Sequence, residues 1–572
     1  MLRERQSEKS REVLAAVHAR TWSAEMNRPL RILFSVRTPA NVRQYEAVLR
    51  ALAARGHQVQ LVKEPFWGKW PPFVLALAET CPGIRLETLP ALKHDDLWEV
   101  ATHLRRARFY MRFFGPAYRN APGLLSRARK RAPEWAVRLA EMGGPVGRWF
   151  LMRLFDLLEQ STRTAAILHP FLRDRNPDLV VATPLVVLRT AQLDLIRAAL
   201  ELGIRNVFAA ASWDHLSSKG LLNFTPQRIL VWNDVQKNEA IDLYHLPADR
   251  IVVTGAQVFD DWFDKKPSTS REAFCARLGL RTDRPILLYV CSSLLEASPE
   301  EPAFVLRWIR HLRESRHPIL QECGILVRRH PERAEGWDGI DFAGLDNVVC
   351  WPPLGESPVD ERSKTDYFDS MYHAAAVVGL NTSAMIEAAI VGRPVHTVLL
   401  PEFWDNQEGT LHFHYLLDGP NAVLRATRSL DDHACDLAGI LEGRDPDPSR
   451  SARFVGAFVR PRGIDVPSTT RLVAELEAVG SRPAPAPVPV PFLVRLMGPL
   501  IRRLLQPYAK AVAEQIRLAQ EEARRRGEQR LLEHRRSKEP MLNEYRRRRL
   551  EEHRRRKQEA AQATGGLGDR VT

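Results

Sequence analysis

The sequence predicts an α/β fold in which two domains, each built on a parallel sheet, face one another across a cleft. The chain has 572 residues, which is too long for a single hydrophobic core, and 45% of them are apolar. Two separate runs of β-rich segments alternate with helical patterns, the first from about residue 30 and the second from about residue 285. Such alternation is typical of parallel sheets that are covered by helices.

The first run opens with a strand–helix–strand unit at residues 30–62. The segments RILFSV and HQVQLV are β-rich, and Val48, Leu49 and Leu52 between them recur at helical spacing. Further strands of this run are expected in DLVVATP (178–184), NVFAAAS (206–212), RILVWN (228–233) and RIVVTG (250–255). The second run has candidate strands in PILLYVCSS (285–293), CGILVRRHP (323–331), NVVCWPP (347–353), AAVVGLNTS (375–383) and PVHTVLL (394–400). The two runs predict two Rossmann-like domains.

Composition changes along the chain predict the domain limits. An N-terminal extension occupies residues 1–28, the first Rossmann-like domain residues 29–265, and the second residues 266–480. A basic and aromatic segment at 105–155 interrupts the first domain as an insertion. The Pro-Ala sequence at 481–491 is expected to be an extended linker, and residues 492–572 a basic, amphipathic and charged helical extension.

The positive charge is concentrated in two of these segments. Residues 105–155 hold twelve Lys or Arg against two acids, and residues 491–572 hold 21 against eleven, within a net charge of +14 for the chain. Bulky apolar side chains alternate with the arginines of the insertion, a mixture that favours an anionic membrane surface. Packing of these aromatic side chains against the first domain is the alternative. No nucleic-acid-binding motif accompanies the charge, so nucleic acid is not an expected partner.

The compartment is inferred from cysteines and apolar runs. The six cysteines are scattered without a C-x-x-C pair, which argues against a disulfide framework or a zinc site. The N-terminal sequence lacks the apolar core of a signal peptide, and no uninterrupted apolar stretch is long enough to span a membrane. We therefore expect a cytoplasmic protein associated peripherally with the inner face of the cell membrane, without a bound metal.

Polar side chains follow several strands of the second run, where ligands of doubly wound sheets bind. One strand leads into Asn381, Thr382 and Ser383 at the start of a helical segment that carries Glu387 one turn further on. A helix start attracts phosphate, and a carboxylate at that position is suited to ribose hydroxyls. An ordinary Ser/Thr cap on a buried helix is the alternative. The other candidate nucleotide-binding residues are Ser292, Ser293, Arg329 and His330.

These residues resemble the nucleotide-binding half of GT-B glycosyltransferases. The pattern is His330-Pro331, followed about fifty residues later by Thr382-Ser383, Glu387-Ala388, Gly392 and Pro394. It is most similar to the CDP-glycerol glycerophosphotransferase and bacterial polysialyltransferase groups. The segment RIVVTGAQVFDDWF (250–263) resembles the V-T-G segment that closes the first domain of these enzymes and of UDP-N-acetylglucosamine 2-epimerases. The resemblance covers roughly residues 30–420 and implies a GT-B fold.

The candidate catalytic residues lie in the first domain, in the sequence AASWDHLSSKG (210–220). Glycerophosphotransferases carry Trp-His-Gly at a similar place, and the resemblance implies that His215 activates the acceptor hydroxyl. Here the sequence is Trp213-Asp214-His215 without an adjoining glycine. Because a transfer that inverts the anomeric centre needs one base, either Asp214 or His215 is suited to the role. No G-x-G-x-x-G follows the first strand, so a nicotinamide-dependent dehydrogenase is not expected.

The resulting prediction is a transferase that moves a sugar or a polyol phosphate from a CDP-, CMP- or UDP-linked donor, without a further cofactor. The resemblance implies a role in cell-surface polysaccharide or teichoic-acid-like polymer assembly, with a lipid-linked or polymeric acceptor. Two alternatives remain open: an enzyme of the UDP-N-acetylglucosamine 2-epimerase type, and a scaffold that keeps the fold without catalysis.

Overall fold

The computed structural model describes residues 28–526 and 529, except for gaps at 93–95, 293–300, 331–335, 338, 343, 354–357, 359, 520 and 523. Its strands form two sheets in which every neighbouring pair is parallel, in the orders β3-β2-β1-β4-β5-β6-β7 and β10-β9-β8-β11-β12-β13. The strands are β1 Arg31–Val36, β2 Gln58–Lys63, β3 Ile84–Thr88, β4 Leu179–Thr183, β5 Arg205–Ala209, β6 Arg228–Val231, β7 Ile251–Val253, β8 Ile286–Val290, β9 Gly324–Arg328, β10 Val348–Cys350, β11 Ala376–Val378, β12 Val395–Val398 and β13 Leu424–Thr427.

Helices connect the strands and cover both faces of each sheet. They are Glu46–Ala54, Pro72–Thr80, Asp96–Arg112, Pro122–Arg131, Glu134–Met142, Gly144–Thr162, His169–Arg175, Gln192–Glu201, His215–Ser218, Asp234–Asp242, Asp260–Asp264, Arg271–Leu278, Glu301–Glu314, Pro318–Glu322, Glu361–Tyr372, Ala384–Ile390, His414–Leu417, Leu430–Leu441, Arg450–Phe454 and Ser468–Ser481. In β1, Leu33 packs into one apolar layer and Phe34 into the opposite one, as the two-residue period of a strand requires. The predicted fold class of two Rossmann-like domains is confirmed.

Some local predictions from the sequence were wrong. The edge strands β3 and β13 were not predicted, because IRLET and LRAT are short and mostly polar. The sequence LHFHY, which alternates like a strand, instead leads into the helical turn His414–Leu417. Phe413 and Leu416 pack into the core of the second domain. These tertiary contacts override the strand-like alternation of apolar and polar residues.

The helix Ser468–Ser481 lies against the first sheet, although the sequence assigned residues 266–480 to the second domain. Its apolar side chains Leu472, Val473 and Leu476 are buried in the same layer as β1 and β2. His57 and Glu477 join this helix to the first domain, with Nε2 and Oε1 at 2.9 Å. The chain therefore returns to the first sheet after completing the second.

The insertion at 105–155 is a set of packed helices and not a continuous surface helix. Phe109, Tyr110, Phe113 and Phe155 are buried, so for these four side chains the structure agrees with the alternative of packing inside the domain. Its arginines Arg105, Arg108 and Arg112 are buried as well, and two of them donate hydrogen bonds to the buried carboxylate of Glu159. Part of the local positive charge is therefore neutralised inside the domain.

The tip of this insertion is exposed. Met142 and Val146 are about four-fifths exposed, and Trp149 and Phe150 about three-fifths. These side chains lie on the helices Glu134–Met142 and Gly144–Thr162, where nothing in the described part of the chain covers them. Arg153 lies over the Trp149 ring, with its Cζ 5.9 Å from the ring centroid. The tip is thus apolar with cations beside it.

The chain divides into two compact units, residues 1–502 and residues 503–572. Within the first unit, the Pro-Ala segment has no regular secondary structure and lies along the first domain. Gly203 has a positive φ of 67°, and a Cβ added there would come within 2.6 Å of the Pro485 carbonyl oxygen. Residues 492–519 are helical. Among the described helices, none is long and apolar enough to cross a membrane.

Candidate active site

The carboxyl ends of the two sheets come together at a contact between Trp213, which follows β5, and Ser383, which follows β11. The indole N–H of Trp213 donates a hydrogen bond to Ser383 Oγ at 3.1 Å. The Trp213 ring also meets the edge of the His412 imidazole, with centroids 4.9 Å apart. Since ligands of parallel α/β sheets bind outside the carboxyl ends of strands, this junction is the candidate active site.

On the first-domain side, Asp214 is held by several donors. Ser212 Oγ donates to its carboxylate at 2.7 Å, and Lys219 Nζ lies 3.0 Å from Oδ2. Burial would raise the pKa of this carboxyl, but Lys219, His215 and His412 together hold the pKa well below its usual range. An ionised carboxylate of this kind orients its neighbours well and is a weak base.

His215 begins the short helix next to Asp214. Burial lowers the pKa of its imidazole to about 4, although the neighbouring Asp214 opposes the shift, so the ring is neutral at pH 7. The N–H of Ala211 donates to Nδ1 at 3.4 Å. A neutral ring that accepts at Nδ1 carries its proton on Nε2. In this arrangement, Nε2 is a hydrogen-bond donor, and it becomes a base only if the ring proton moves.

On the second-domain side, the residues of the Asn381-Thr382-Ser383 segment make different contacts. The backbone N–H of Asn381 donates to Ser292 Oγ at 3.1 Å, a contact between the ends of β8 and β11. The Asn381 amide donates to the Asn406 carbonyl and therefore braces the loop. Ser383 does not cap the following helix, because its backbone is already helical, and its exposed hydroxyl faces Trp213 instead.

Glu387 lies half-buried one turn beyond Ser383. The hydroxyl of Tyr367 donates to its carboxylate at 2.6 Å. Burial raises the pKa of Glu387 to about 7, while Tyr367 and the nearby charge of Lys265 oppose the rise. The carboxyl therefore titrates close to neutral pH, and one of its oxygens is already engaged by a protein donor.

The two arginines at the end of β9 donate hydrogen bonds to other side chains of the protein. Arg328 is buried and donates to Asp366 Oδ2 at 2.9 Å and to Ser370 Oγ at 2.7 Å. Arg329 donates to Cys350 Sγ at 2.9 Å and lies over the Trp337 ring. His330 is the last residue described before a gap, and Ser293 lies outside the described residues. That His330 lies in one cleft-facing pocket with Ser383 and Glu387 stays a prediction, and so does the nucleotide-binding role of Ser293.

The sequence analysis missed several residues at this junction. Glu239, on the helix Asp234–Asp242, accepts a hydrogen bond at 2.7 Å from the hydroxyl of Tyr415 in the second domain. Burial raises the pKa of Glu239 to about 8, although Tyr415 and Arg112 partly offset that rise. Burial lowers the pKa of His412 to about 4. None of these side chains stands in a recognisable motif, so only the fold brings them together.

Metal ligation has no support in the geometry: among the described residues, no three His, Cys, Asp or Glu side chains are grouped suitably for an ion. No family model matches the sequence, and no curated relative matches it either.

Similar folds occur among solved structures. A glycosyltransferase from Rickettsia africae is 10% identical over 79% of this chain and 98% of its own, with a TM-score of 0.44. WaaG, a glycosyltransferase involved in lipopolysaccharide biosynthesis, is 14% identical over 78% of this chain and 99% of its own, with a TM-score of 0.41. The UDP-GlcNAc 2-epimerase of Methanocaldococcus jannaschii is 11% identical over 79% of this chain and 100% of its own, with a TM-score of 0.43. Likeness at this level concerns the fold alone.

Proposed function

We propose that the protein is a transferase that moves a glycosyl or polyol-phosphate unit from a nucleotide-linked donor to an acceptor. The observation that carries the proposal is the meeting of the two carboxyl sheet edges at Trp213 and Ser383, with polar side chains contributed from both. Two parallel sheets that present their ligand-binding edges to one another provide separate places for a donor and an acceptor. The process proposed is assembly of a cell-surface polysaccharide or a teichoic-acid-like polymer.

In this proposal the second domain, residues 266–480 without the helix Ser468–Ser481, holds the nucleotide of a CDP-, CMP- or UDP-linked donor. Ser292, Ser293, Thr382 and Ser383 would contact its phosphates together with Arg329 and His330, and Asn381 would brace the loop. Glu387 would accept hydrogen bonds from ribose hydroxyls through the carboxylate oxygen to which Tyr367 does not donate, and its half-buried position supports this role. Fixed donors of this kind stabilise a departing nucleotide without covalent catalysis.

The first domain would hold the acceptor, and either Asp214 or His215 would receive the proton of its hydroxyl. His215 is neutral at pH 7, and the low pKa of Asp214 makes that carboxylate the weaker base. The higher pKa of the ring therefore favours His215, assisted by the ionised Asp214. In that step the ring would carry its own proton on Nδ1, giving up the hydrogen bond from Ala211, and Nε2 would receive the proton of the hydroxyl. No step is assigned to a metal.

We further infer that the protein works peripherally at the cytoplasmic face of a membrane and uses a lipid-linked or polymeric acceptor. The exposed apolar tip at Met142, Val146, Trp149 and Phe150, with arginines beside it, supports this inference. Aromatic side chains enter the headgroup region, and each well-placed cation contributes about 1 kcal/mol toward an anionic surface.

Calorimetric titration with UDP, CDP, CMP and GDP tests the nucleotide site. We expect one of them to bind, and His330→Ala and Glu387→Ala each to weaken its binding by about 1–3 kcal/mol. Binding of none would favour the non-catalytic scaffold. Conversion of a UDP-sugar without any acceptor, followed by NMR, would identify an epimerase instead.

A further inference from the structure

Three arginines lie near the carboxyl ends of β1 and β4 in the first sheet. Arg37 directly follows β1, Arg189 lies in the loop after β4, and Arg106 comes from the insertion helix Asp96–Arg112. Besides burial, the charge of Arg189 lowers the pKa of both Arg37 and Arg106, so Arg189 lies close enough to each of these two guanidinium groups to repel it. Half-buried like charges are costly unless an anion lies among them.

The carboxylates nearby do not complete this arginine cluster. Arg189 is paired with Glu99 through one nitrogen at 2.5 Å. Arg37 forms a long ion pair with Glu64, with Nε 4.0 Å from Oε2. Glu64 is fully buried, its other oxygen accepts from the N–H of Ala191 at 2.7 Å, and burial raises its pKa to about 7. Its negative charge is therefore incomplete at neutral pH.

Polar atoms in the cluster also lack hydrogen-bond partners. Arg37 Nε, Arg189 Nε and Glu64 Oε2 are all buried and make no hydrogen bond within the described part of the chain. Buried donors and acceptors are normally satisfied, and leaving one unpaired costs about 1–3 kcal/mol. Two unpaired donors beside one unpaired acceptor indicate a place for a bound molecule or for water.

Aromatic rings fix the guanidinium groups. Arg37 lies over Trp67, with its Cζ 5.3 Å from the ring centroid. Arg189 lies at the same distance from Phe66 and from Trp98. Stacking holds the planar guanidinium by its face and leaves its N–H edge available for a bidentate contact with phosphate or carboxylate.

We propose that the cluster of Arg37, Arg106 and Arg189 binds an oxyanion, a phosphate or carboxylate group, of the acceptor substrate. This inference rests on the proposed function and adds to it that the acceptor is anionic. The cluster lies on the same sheet edge as Asp214 and His215, whereas the proposed donor residues belong to the second sheet. An acceptor anchored by its anion at β1 and β4 would extend its hydroxyl toward β5.

The test uses the full chain and inorganic phosphate as the probe, titrated by calorimetry with and without saturating nucleotide. We expect phosphate to bind in both conditions, and Arg37→Gln and Arg106→Gln each to weaken its binding at least tenfold. Arg85→Gln, an exposed arginine on β3, is the matched control and should change nothing. Arg37→Lys should recover part of the affinity, since it restores the charge without the planar fork. Circular dichroism confirms folding of each variant.

The outcomes separate the two proposals. Equal phosphate binding by wild type and both Gln variants, or none at millimolar phosphate, would overturn the anionic subsite, whatever the nucleotide does. A tenfold loss of nucleotide affinity in Arg37→Gln, with phosphate competing against nucleotide, would assign the cluster to the donor's diphosphate and overturn the acceptor assignment. Absence of nucleotide binding would instead remove the proposed function on which the subsite depends.

Discussion

The indole nitrogen of Trp213 lies 3.1 Å from the hydroxyl oxygen of Ser383, so one hydrogen bond joins the loop after β5 to the loop after β11. Trp213 is buried, and Ser383 is exposed on its other side. A ligand that enters between the sheets must change the surroundings of this indole.

We therefore expect nucleotide binding to alter the fluorescence of Trp213. The Trp213→Phe variant should lose most of the nucleotide-induced change in tryptophan emission, although twelve other tryptophans remain. Trp149→Phe removes an exposed indole at the insertion tip and is the control. This variant should keep the nucleotide-induced change in emission. An undiminished signal in Trp213→Phe would place the nucleotide away from this junction.

Glu387 gives the proposed donor site a pH dependence. Its raised pKa of about 7 means that the carboxyl is largely protonated below pH 7 and ionised above it. Hydrogen bonds to a charged group are stronger, so nucleotide affinity should increase by up to about tenfold between pH 6 and pH 8.

Calorimetry at several pH values in wild type and Glu387→Gln measures this effect. The nucleotide's phosphate also titrates in this range, so the quantity of interest is the difference between the two proteins. Glu314→Gln, at an exposed glutamate of the second domain, should behave as wild type does. Identical pH profiles for wild type and Glu387→Gln would remove Glu387 from the nucleotide site.

The acceptor base can be distinguished by separating turnover from donor affinity. His215→Ala should lower turnover by about 10²- to 10⁴-fold while nucleotide binding stays nearly unchanged. Asp214→Asn should have a smaller effect, because that carboxylate acts by orienting its neighbours. If Asp214→Asn shows the larger loss, then the acid is the base and His215 is structural. Loss of nucleotide binding in either variant would place that residue in the donor half.

The buried carboxylate of Glu159 should matter for stability more than for catalysis. Glu159 accepts hydrogen bonds from Arg105 Nε at 2.8 Å and Arg108 Nη1 at 2.9 Å, and it lies in a domain core. Replacing it by Gln removes one counter-charge from each cation, since Arg105 keeps Asp194 and Arg108 keeps Asp156. Removing one partner of a buried pair costs about 3–5 kcal/mol. Urea unfolding of Glu159→Gln, with the exposed Arg138→Gln as control, measures that loss.

Because of the same carboxylate, the free energy of unfolding should depend on pH in the acid range. Burial would raise the pKa of Glu159, but Arg105, Arg197 and Arg108 lower it to about 2. A lowered pKa contributes stability that is present above the unfolded value of about 4.5 and is lost as pH falls toward 2. Glu159→Gln should lack this pH-dependent part of the stability. If its free energy of unfolding at pH 7 were within about 1 kcal/mol of the wild-type value, the stabilising role of the buried network would be contradicted.

Membrane attachment is predicted to depend on the insertion tip. The double variant Trp149→Ala/Phe150→Ala should lose most flotation with vesicles that contain phosphatidylglycerol, since it removes the most suitable headgroup contacts. The control Ile464→Ala/Val466→Ala changes exposed apolar side chains elsewhere. Wild-type binding should decrease with salt and be weak on phosphatidylcholine alone. Indifference to lipid charge would exclude the electrostatic part of the mechanism.

Predictions from the sequence succeeded where local periodicity is strong. RILFSV and ILLYV are strands because most of their positions are apolar, and β1 and β8 lie near the centres of their sheets. The edge strand β3, IRLET, carries the polar side chains of an element that is only half covered, and the periodicity does not distinguish it from a loop. The sequence left open whether the aromatic side chains of the insertion are buried, because burial of Phe109 or Tyr110 depends on helices that pack against them.

By itself, the sequence determined the fold class, the presence of polar side chains at strand ends and the segregation of positive charge, because these follow from composition and from patterns within a few residues. The tertiary structure decided which of those polar side chains meet. Trp213 and Ser383 are 170 residues apart, and Glu239 and Tyr415 are 176 apart. No local pattern records such pairs, since they arise only when two sheets dock. The arginine cluster has the same origin: Arg37, Arg106 and Arg189 lie on separate elements, and the topology of the first sheet brings them to one edge.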